Sequence, residues 1–173
     1  MISGGGVFYS DAMEDLSNFA IKHNIPVTQT VMGYSTMKRD HSHFLGPIGG
    51  LGGKAANNLA KQTDLAIAVG TKLADFTTGS WANFENPDFS LVSVNVSRFD
   101  ASKHLAQSVI GDAKVSLQEL SNALGDWKAP DEWHKKSRDE LKNWNDYVDK
   151  ESGPTNQELP SYCLLYTSDA ADD

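Results

Sequence analysis

The segment Leu65-Ala-Ile-Ala-Val69, set between Asp64 and Gly70, limits the folds open to this chain more than any other feature. Strand side chains alternate between the two faces of a sheet, so an unbroken apolar strand needs apolar cover on both sides. A parallel sheet sheathed by helices meets that need, and a sheet with one wet face does not. The run is also far shorter than the roughly 20 residues that cross a bilayer.

The rest of the chain alternates as such a sheet requires. Ile2 reads as the tail of a strand whose beginning is absent. Gly4-Gly-Gly6 then turns the chain toward a helix opened by Asp11 and Glu14 at capping-box spacing, with Ala12, Leu16, Phe19 and Ala20 as its buried stripe. Residues 26–31 form a β-branched run suited to a strand, and residues 32–47 read as a polar, His-containing loop. Gly46-Pro-Ile-Gly-Gly-Leu-Gly-Gly53 leads into a helix with Ala55, Ala56, Leu59 and Ala60 on one face. Residues 91–96 and 108–110 read as further strands, and Asp112 caps a helix with Ala113, Leu117, Leu120 and Leu124 at helical spacing. Ala129-Pro-Asp131 opens a charged helix to about Lys150, on which Trp133, Leu141, Trp144 and Val148 are the apolar positions and Trp133 and Trp144 read as packing.

The expected architecture is α/β: a doubly wound, Rossmann-like parallel sheet with its first strand truncated, and with ligands beyond the carboxyl ends of the strands. Losing part of a strand predicts marginal stability. Residues 1–126 form the α/β domain, 127–152 a linker helix, and 153–162 the start of a connection to a further C-terminal domain. Residues 163–173, Cys163-Leu-Leu-Tyr-Thr-Ser-Asp-Ala-Ala-Asp-Asp173, resemble the translation of a transposase-type sequencing adapter and read as an artefact. The sole cysteine, Cys163, lies in that tail, so no internal disulfide is available and a cytoplasmic protein is expected. A net charge of -8 without a basic stripe argues against a nucleic-acid partner, and no segment suits a membrane.

Chemistry-bearing motifs are few. Gly50-x-Gly52-x-x-Ala55 fits the dinucleotide fingerprint at the start of a helix, which makes Gly50, Gly52 and Gly53 candidate nucleotide or phosphate contacts. Yet no strand is expected to run directly into it, and Asp75 only loosely meets the need for a ribose-binding acid. The same glycines equally suit a turn that demands close backbone approach. Gly4-Gly-Gly6 has Tyr9 where the third glycine belongs and reads as a strand-to-helix turn. Asp40, His41 and His43 could ligate a metal or act as acid and base, but no other His or Cys lies at metal-motif spacing, which favours a solvated loop. Thr77-Thr-Gly-Ser-Trp81 could line a pocket or cap a helix beside a packed tryptophan. No Ser/His/Asp order, cysteine nucleophile or P-loop can be assembled, so neither a catalytic residue nor a metal ligand is assigned.

Four segments carry a family resemblance: Ile2-Ser-Gly-Gly-Gly6; Gly46-Pro-Ile-Gly-Gly50 with Ala56-Asn57; Asp64-Leu-Ala-Ile-Ala-Val-Gly-Thr-Lys-Leu-Ala-Asp-Phe-Thr-Thr-Gly-Ser80; and Asn95-Val-Ser-Arg-Phe-Asp-Ala-Ser-Lys103. Over residues 1–162 the chain resembles the central domain of thiamine-diphosphate enzymes, most closely the branch that hydrolyses a ring C–C bond of an inositol-derived 1,2-dione. In that family an N-terminal domain supplies the glutamate that activates the cofactor. A C-terminal domain holds the diphosphate and Mg2+ through a Gly-Asp-Gly motif followed by Asn. Gly111-Asp112 and Gly125-Asp126 lack the third glycine, so no such residue carries over.

The resemblance thus implies thiamine diphosphate and Mg2+ in a parent protein and none in this chain alone, with the catalytic domains of the same polypeptide as partners and a homo-oligomeric parent. Some relatives bind FAD through an arginine after the buried strand, where this chain has Lys72. A lysine lacks the planar fork of arginine, so Lys72 is a weak candidate for the same contact. The competing readings are a free-standing FAD- or NAD-like nucleotide module, and the central domain of another thiamine-diphosphate enzyme such as an acetolactate synthase relative.

Overall fold

The computed structural model describes residues 1–152. In chain order its elements are β1 (Ile2–Ser3), α1 (Gly5–Tyr9), α2 (Met13–His23), β2 (Val27–Gln29), β3 (Phe44–Pro47), α3 (Lys54–Ala60), β4 (Leu65–Val69), α4 (Asp75–Thr78), β5 (Ser90–Asn95), α5 (Arg98–Ala101), β6 (Gln107–Ile110), α6 (Ala113–Leu124) and α7 (Asp131–Glu151). All strand pairs are parallel, in the order β3-β2-β1-β4-β5-β6. That is the doubly wound order, whose connections reverse direction between β1 and β4. No helix among the described residues is long and apolar enough to cross a membrane.

The strand that set the fold behaves as its composition demands. Ala66 and Ala68 of β4 join one core with Ile2, Leu45, Ala56, Leu59, Leu73 and Leu91. Val69 joins the other, with Val7, Leu16, Phe19, Val27, Val94 and Leu117, and Ile67 packs against it. Helices α3 and α7 cover the first face, and α1, α2 and α6 cover the second. The expected stripe of α2 is fully buried, and Asp112 caps α6 by accepting from the amides of Lys114 and Val115. His23, at the end of α2, is wholly buried; its ring meets the Trp127 carbonyl at 2.7 Å and Ser121 Oγ at 3.0 Å, fastening the α6–α7 link to the sheet.

The structure corrects two local expectations. The capping box at Asp11 and Glu14 does not form: the glycine turn itself opens α1, and Ala12 becomes the N-cap of α2. Burying Ala12 between the two helices forces Asp11 to φ 51°, which turns its carboxylate to solvent. Residues 32–47 are not wholly loop, since they end in edge strand β3. Its Gly and Pro masked it in the sequence, and both suit an irregular edge: Gly46 has φ 99° beside a register shift, and Pro47 ends the strand. The β4–β5 crossover has no long helix; Trp81, Phe84 and Phe89 pack there as an aromatic cluster with ring centroids 4.7–6.2 Å apart.

At the switch point the chain approaches itself too closely for side chains. A Cβ on Gly4 would overlap the Gly70 carbonyl oxygen and stand 2.5 Å from Thr71 Cβ, and one on Gly6 would stand 2.6 Å from Gly70 Cα. Gly70 itself has φ 62°. Gly50, by contrast, has Phe76 O as its nearest such neighbour at 3.8 Å. Gly4→Ala is therefore expected to lower stability by about 3 kcal/mol or more, and Gly50→Ala by less than about 1 kcal/mol, as read from urea melts.

Candidate functional site

In a doubly wound sheet the crevice beyond β1 and β4 is where a ligand would lie. Here the backbones of the two turns meet. The Gly4 amide donates to Val69 O at 2.9 Å, the Gly6 amide to Gly70 O at 2.9 Å, and the Gly70 amide to Val94 O at 2.8 Å. Two of the amides that could open toward a phosphate at the start of α1 are thus engaged with carbonyls of β4 and its following turn.

The second glycine loop follows the same principle. Strand β3 runs directly into it, contrary to the expectation that no strand would. The Gly50 amide donates to Phe76 O (2.7 Å), the Gly52 amide to Gly49 O (2.9 Å) and the Gly53 amide to Pro47 O (2.9 Å). The Asn57 side chain clamps Gly49 in both directions, accepting its amide at 2.9 Å and donating to its carbonyl at 3.0 Å, while Asn83 donates to the same Asn57 oxygen at 3.1 Å. A Cβ on Gly53 would meet Trp144 Nε1 at 2.9 Å. Gly50, Gly52 and Gly53 therefore lie where the loop packs tightly against α4, α3 and α7. Asn83 and Trp144 were not singled out for this role because partners so distant in sequence leave no spacing signal, and Asn57, eight residues from Gly49, matches no ligand-binding motif.

Lys72 is exposed in the turn after β4 and faces Asp100. Asp100 is ion-paired to Lys103 at 2.6 Å, and that ammonium chiefly holds its carboxyl below the ordinary value, with Lys72 a smaller contributor. Asp75 is exposed at the start of α4. Trp81 takes the packed alternative: it stacks on His104 at 4.0 Å, and its amide donates to Thr78 Oγ1 at 3.1 Å.

The histidine segment departs from a solvated loop. His43 is only 7% exposed and stacks on His134 of α7 with ring centroids 4.2 Å apart; His41 lies 5.8 Å from His43. The His43 ring also meets Asn24 Oδ1 at 3.2 Å and Ser42 Oγ at 2.9 Å. Arg138 donates to the Ser42 and Phe44 carbonyls at 3.2 and 3.3 Å, closing the outer edge of β3 under α7. Burial first, then the neighbouring His134, His41 and Arg138, push the His43 pKa from 6.5 down to about 4. The cluster is a packing joint, with His43 held in its neutral form, that keeps α7 against β3.

The described residues do not fit a metal–diphosphate site. No group of three or more His, Cys, Asp or Glu side chains among them could hold a metal ion. The Asp112 carboxylate is engaged as the cap of α6, and Gly125-Asp126 lies exposed at the C-terminal end of that helix.

Comparison with known proteins fits this geometry. Residues 1–120 match the family described as thiamine pyrophosphate enzyme, central domain. The 3D-(3,5/4)-trihydroxycyclohexane-1,2-dione hydrolase of Clostridium perfringens (strain 13 / Type A) is 49% identical over 124 residues, covering 72% of this chain and 19% of the relative. The protein of the same name from Clostridium tetani is 41% identical over 174 residues, covering 94% and 26%. That from Geobacillus thermodenitrificans is 45% identical over 127 residues, covering 73% and 20%. The chain thus spans about a fifth to a quarter of the length of these relatives.

The histidine joint has a pH signature. Because the His43 pKa is depressed in the fold, the stability tied to its neutral form is complete above pH 6.5 and is lost as pH falls toward about 4. His43→Gln is expected to flatten that part of a plot of melting temperature against pH, relative to the parent sequence.

Proposed function

This chain belongs to the central-domain family of thiamine pyrophosphate enzymes, and from that premise we propose that it is the non-catalytic central domain of a longer thiamine-diphosphate-dependent hydrolase. Its parent would open a ring C–C bond of an inositol-derived 1,2-dione, as the name shared by relatives at 41–49% identity suggests. The cofactor, when bound in the parent with Mg2+, would supply the nucleophile and electron sink for that cleavage. This chain's residues would hold the parent's catalytic domains in place, in a cytoplasmic homo-oligomer.

The observation that carries the non-catalytic part is the closed switch point, where Gly4 and Gly6 lie against Gly70 and direct their amides at protein carbonyls. A second feature supports a scaffold role. Residues that follow the carboxyl ends of strands present large apolar side chains to solvent: Tyr9 is 84% exposed, Met32 75%, Leu51 72%, Phe76 72% and Phe99 73%. An apolar rim of this extent suits burial against another part of a larger protein.

The direct test is one long sequencing read through the locus. The reading expects the frame to continue beyond Met1 into a domain that bears the activating glutamate, and beyond Tyr162 into a Gly-Asp-Gly segment. A frame confined to these 173 residues would overturn it. In solution, calorimetric titration of the chain with thiamine diphosphate and Mg2+ is expected to give no binding heat. The nucleotide-module reading instead expects FAD or NAD to raise the melting temperature, through Gly50, Gly52, Gly53 and Lys72. A rise of several degrees at ligand concentrations near 100 times Kd would favour it over the scaffold.

A further inference from the structure

The centre of the sheet has a notch at its amino end. Strand β4 begins at Leu65, but only Ala68 and Val69 have partners in β1. Continuing the register backwards, Met1 lies level with Ile67, and the next two positions along the same line lie level with Ala66 and Leu65. On the other side Met1 lies level with Val27, and the next position with Pro26.

Three observations describe what the notch accepts. First, Met1 already has strand geometry: its amino group donates to Pro26 O at 2.7 Å and its carbonyl accepts from Thr28 N at 2.9 Å. Burial pushes the pKa of that amine from 8.0 to about 5, so the position suits an uncharged N–H better than an ammonium. Second, the face that carries Ile2 has a cavity of about 70 Å³ at this end, lined among others by Leu59, Ala60, Ala66, Phe84 and Trp133. Third, the opposite face has a groove of about 630 Å³ with a largely apolar lining that includes Leu65, Ile67, Leu120, Leu124 and Trp127. Leu65 is 47% and Trp127 51% exposed there.

Alternation assigns each space to one residue. The position immediately before Met1 shares the face of Ile2 and addresses the small cavity; the one before that shares the face of Met1 and addresses the large groove. Asp64 borders the groove and opposes an acidic occupant. We propose that the notch is the seat of an extended, two-residue apolar segment running directly into Met1, with a small aliphatic side chain next to Met1 and a large one before it. The segment completes the parallel pairing between β2 and β4 and covers Leu65 and Trp127.

This inference rests on the reading of the chain as part of a longer polypeptide, but the two fail separately, because extensions test the notch whatever the locus contains. The chain would be prepared with Leu-Val, Gly-Ser or Leu-Asp placed before Met1. Leu-Val is expected to melt on the order of 5 °C above Gly-Ser, since two aliphatic side chains become buried. Leu-Asp, which directs a carboxylate into the small cavity, is expected to melt below Gly-Ser. Leu-Val is also expected to shift tryptophan emission to the blue as Trp127 is covered. The unextended chain should lose stability as pH falls from 8 toward 5, the window set by its amine, and all three extensions should lack that slope. A Leu-Val protein that melts no higher than Gly-Ser, with unshifted emission, overturns the proposal. So does concentration-dependent melting of the unextended chain that Leu-Val abolishes, which would assign the notch to a second copy.

Discussion

The approach of Gly4 and Gly6 to Gly70 is the constraint on which the rest of the molecule depends. It places the turn after β1 directly on the turn after β4, at the point where the doubly wound topology separates its two halves. Two backbone hydrogen bonds, from the Gly4 amide to Val69 O and from the Gly6 amide to Gly70 O, bind the halves there with no side chain between them. One consequence is structural: the turn after β1 is held directly on the turn after β4 by backbone contacts alone. The other is functional. The backbones of the two turns meet at the crevice that an open sheet of this order offers to a ligand, which supports the scaffold role proposed for this end of the sheet.

The second organising element is α7, which runs along the outside of β3 from the amino to the carboxyl end of the sheet. Its early residues His134 and Arg138 hold Ser42, His43 and Phe44, and its later residues Leu141 and Trp144 pack on the first core, with Trp144 lying over Gly53. An edge strand as short as Phe44–Pro47 would otherwise present free carbonyls to solvent. Arginine suits this task because a single Nη1, with two hydrogens, reaches both the Ser42 and Phe44 carbonyls. The histidines suit it because a neutral imidazole stacks at 4.2 Å where two cations would repel.

What was legible in the sequence followed from periodicity. The double-faced run at Leu65–Val69, the stripe of α2 and the spacing in α6 each declare a local element; the fold buries Ala66, Ala68 and Val69, the α2 stripe, and Ala113 and Leu117, while Leu65 stays 47% exposed. The helix at Asp131–Glu151 was equally legible, with Pro130 before it and Trp133 and Trp144 on its packing side. What was illegible depended on partners distant in the chain. Nothing near residue 43 announces a stack on residue 134, and Gly46 and Pro47 look like loop until the edge position of β3 explains them. The glycine motif at Gly50 and Gly52 illustrates the same limit from the other side. Its spacing fits phosphate binding, but spacing carries no information about Phe76, Pro47 or Trp144, which meet those amides and glycines in the fold.

The two glycine loops together argue for a general point about this sheet. Glycine at a strand-to-helix turn permits close approach, and the approaching group can be a phosphate or the protein's own backbone. The amide directions distinguish the two cases. At Gly4 and Gly6 they meet Val69 and Gly70, and at Gly50, Gly52 and Gly53 they meet Phe76, Gly49 and Pro47, so both loops approach protein. The family match and this geometry are independent observations: one is overall similarity to central domains, the other the engagement of these amides by protein carbonyls. Large exposed apolar side chains lie after the carboxyl ends of strands, at Met32, Leu51, Phe76 and Phe99, and also at the amino end, at Leu65.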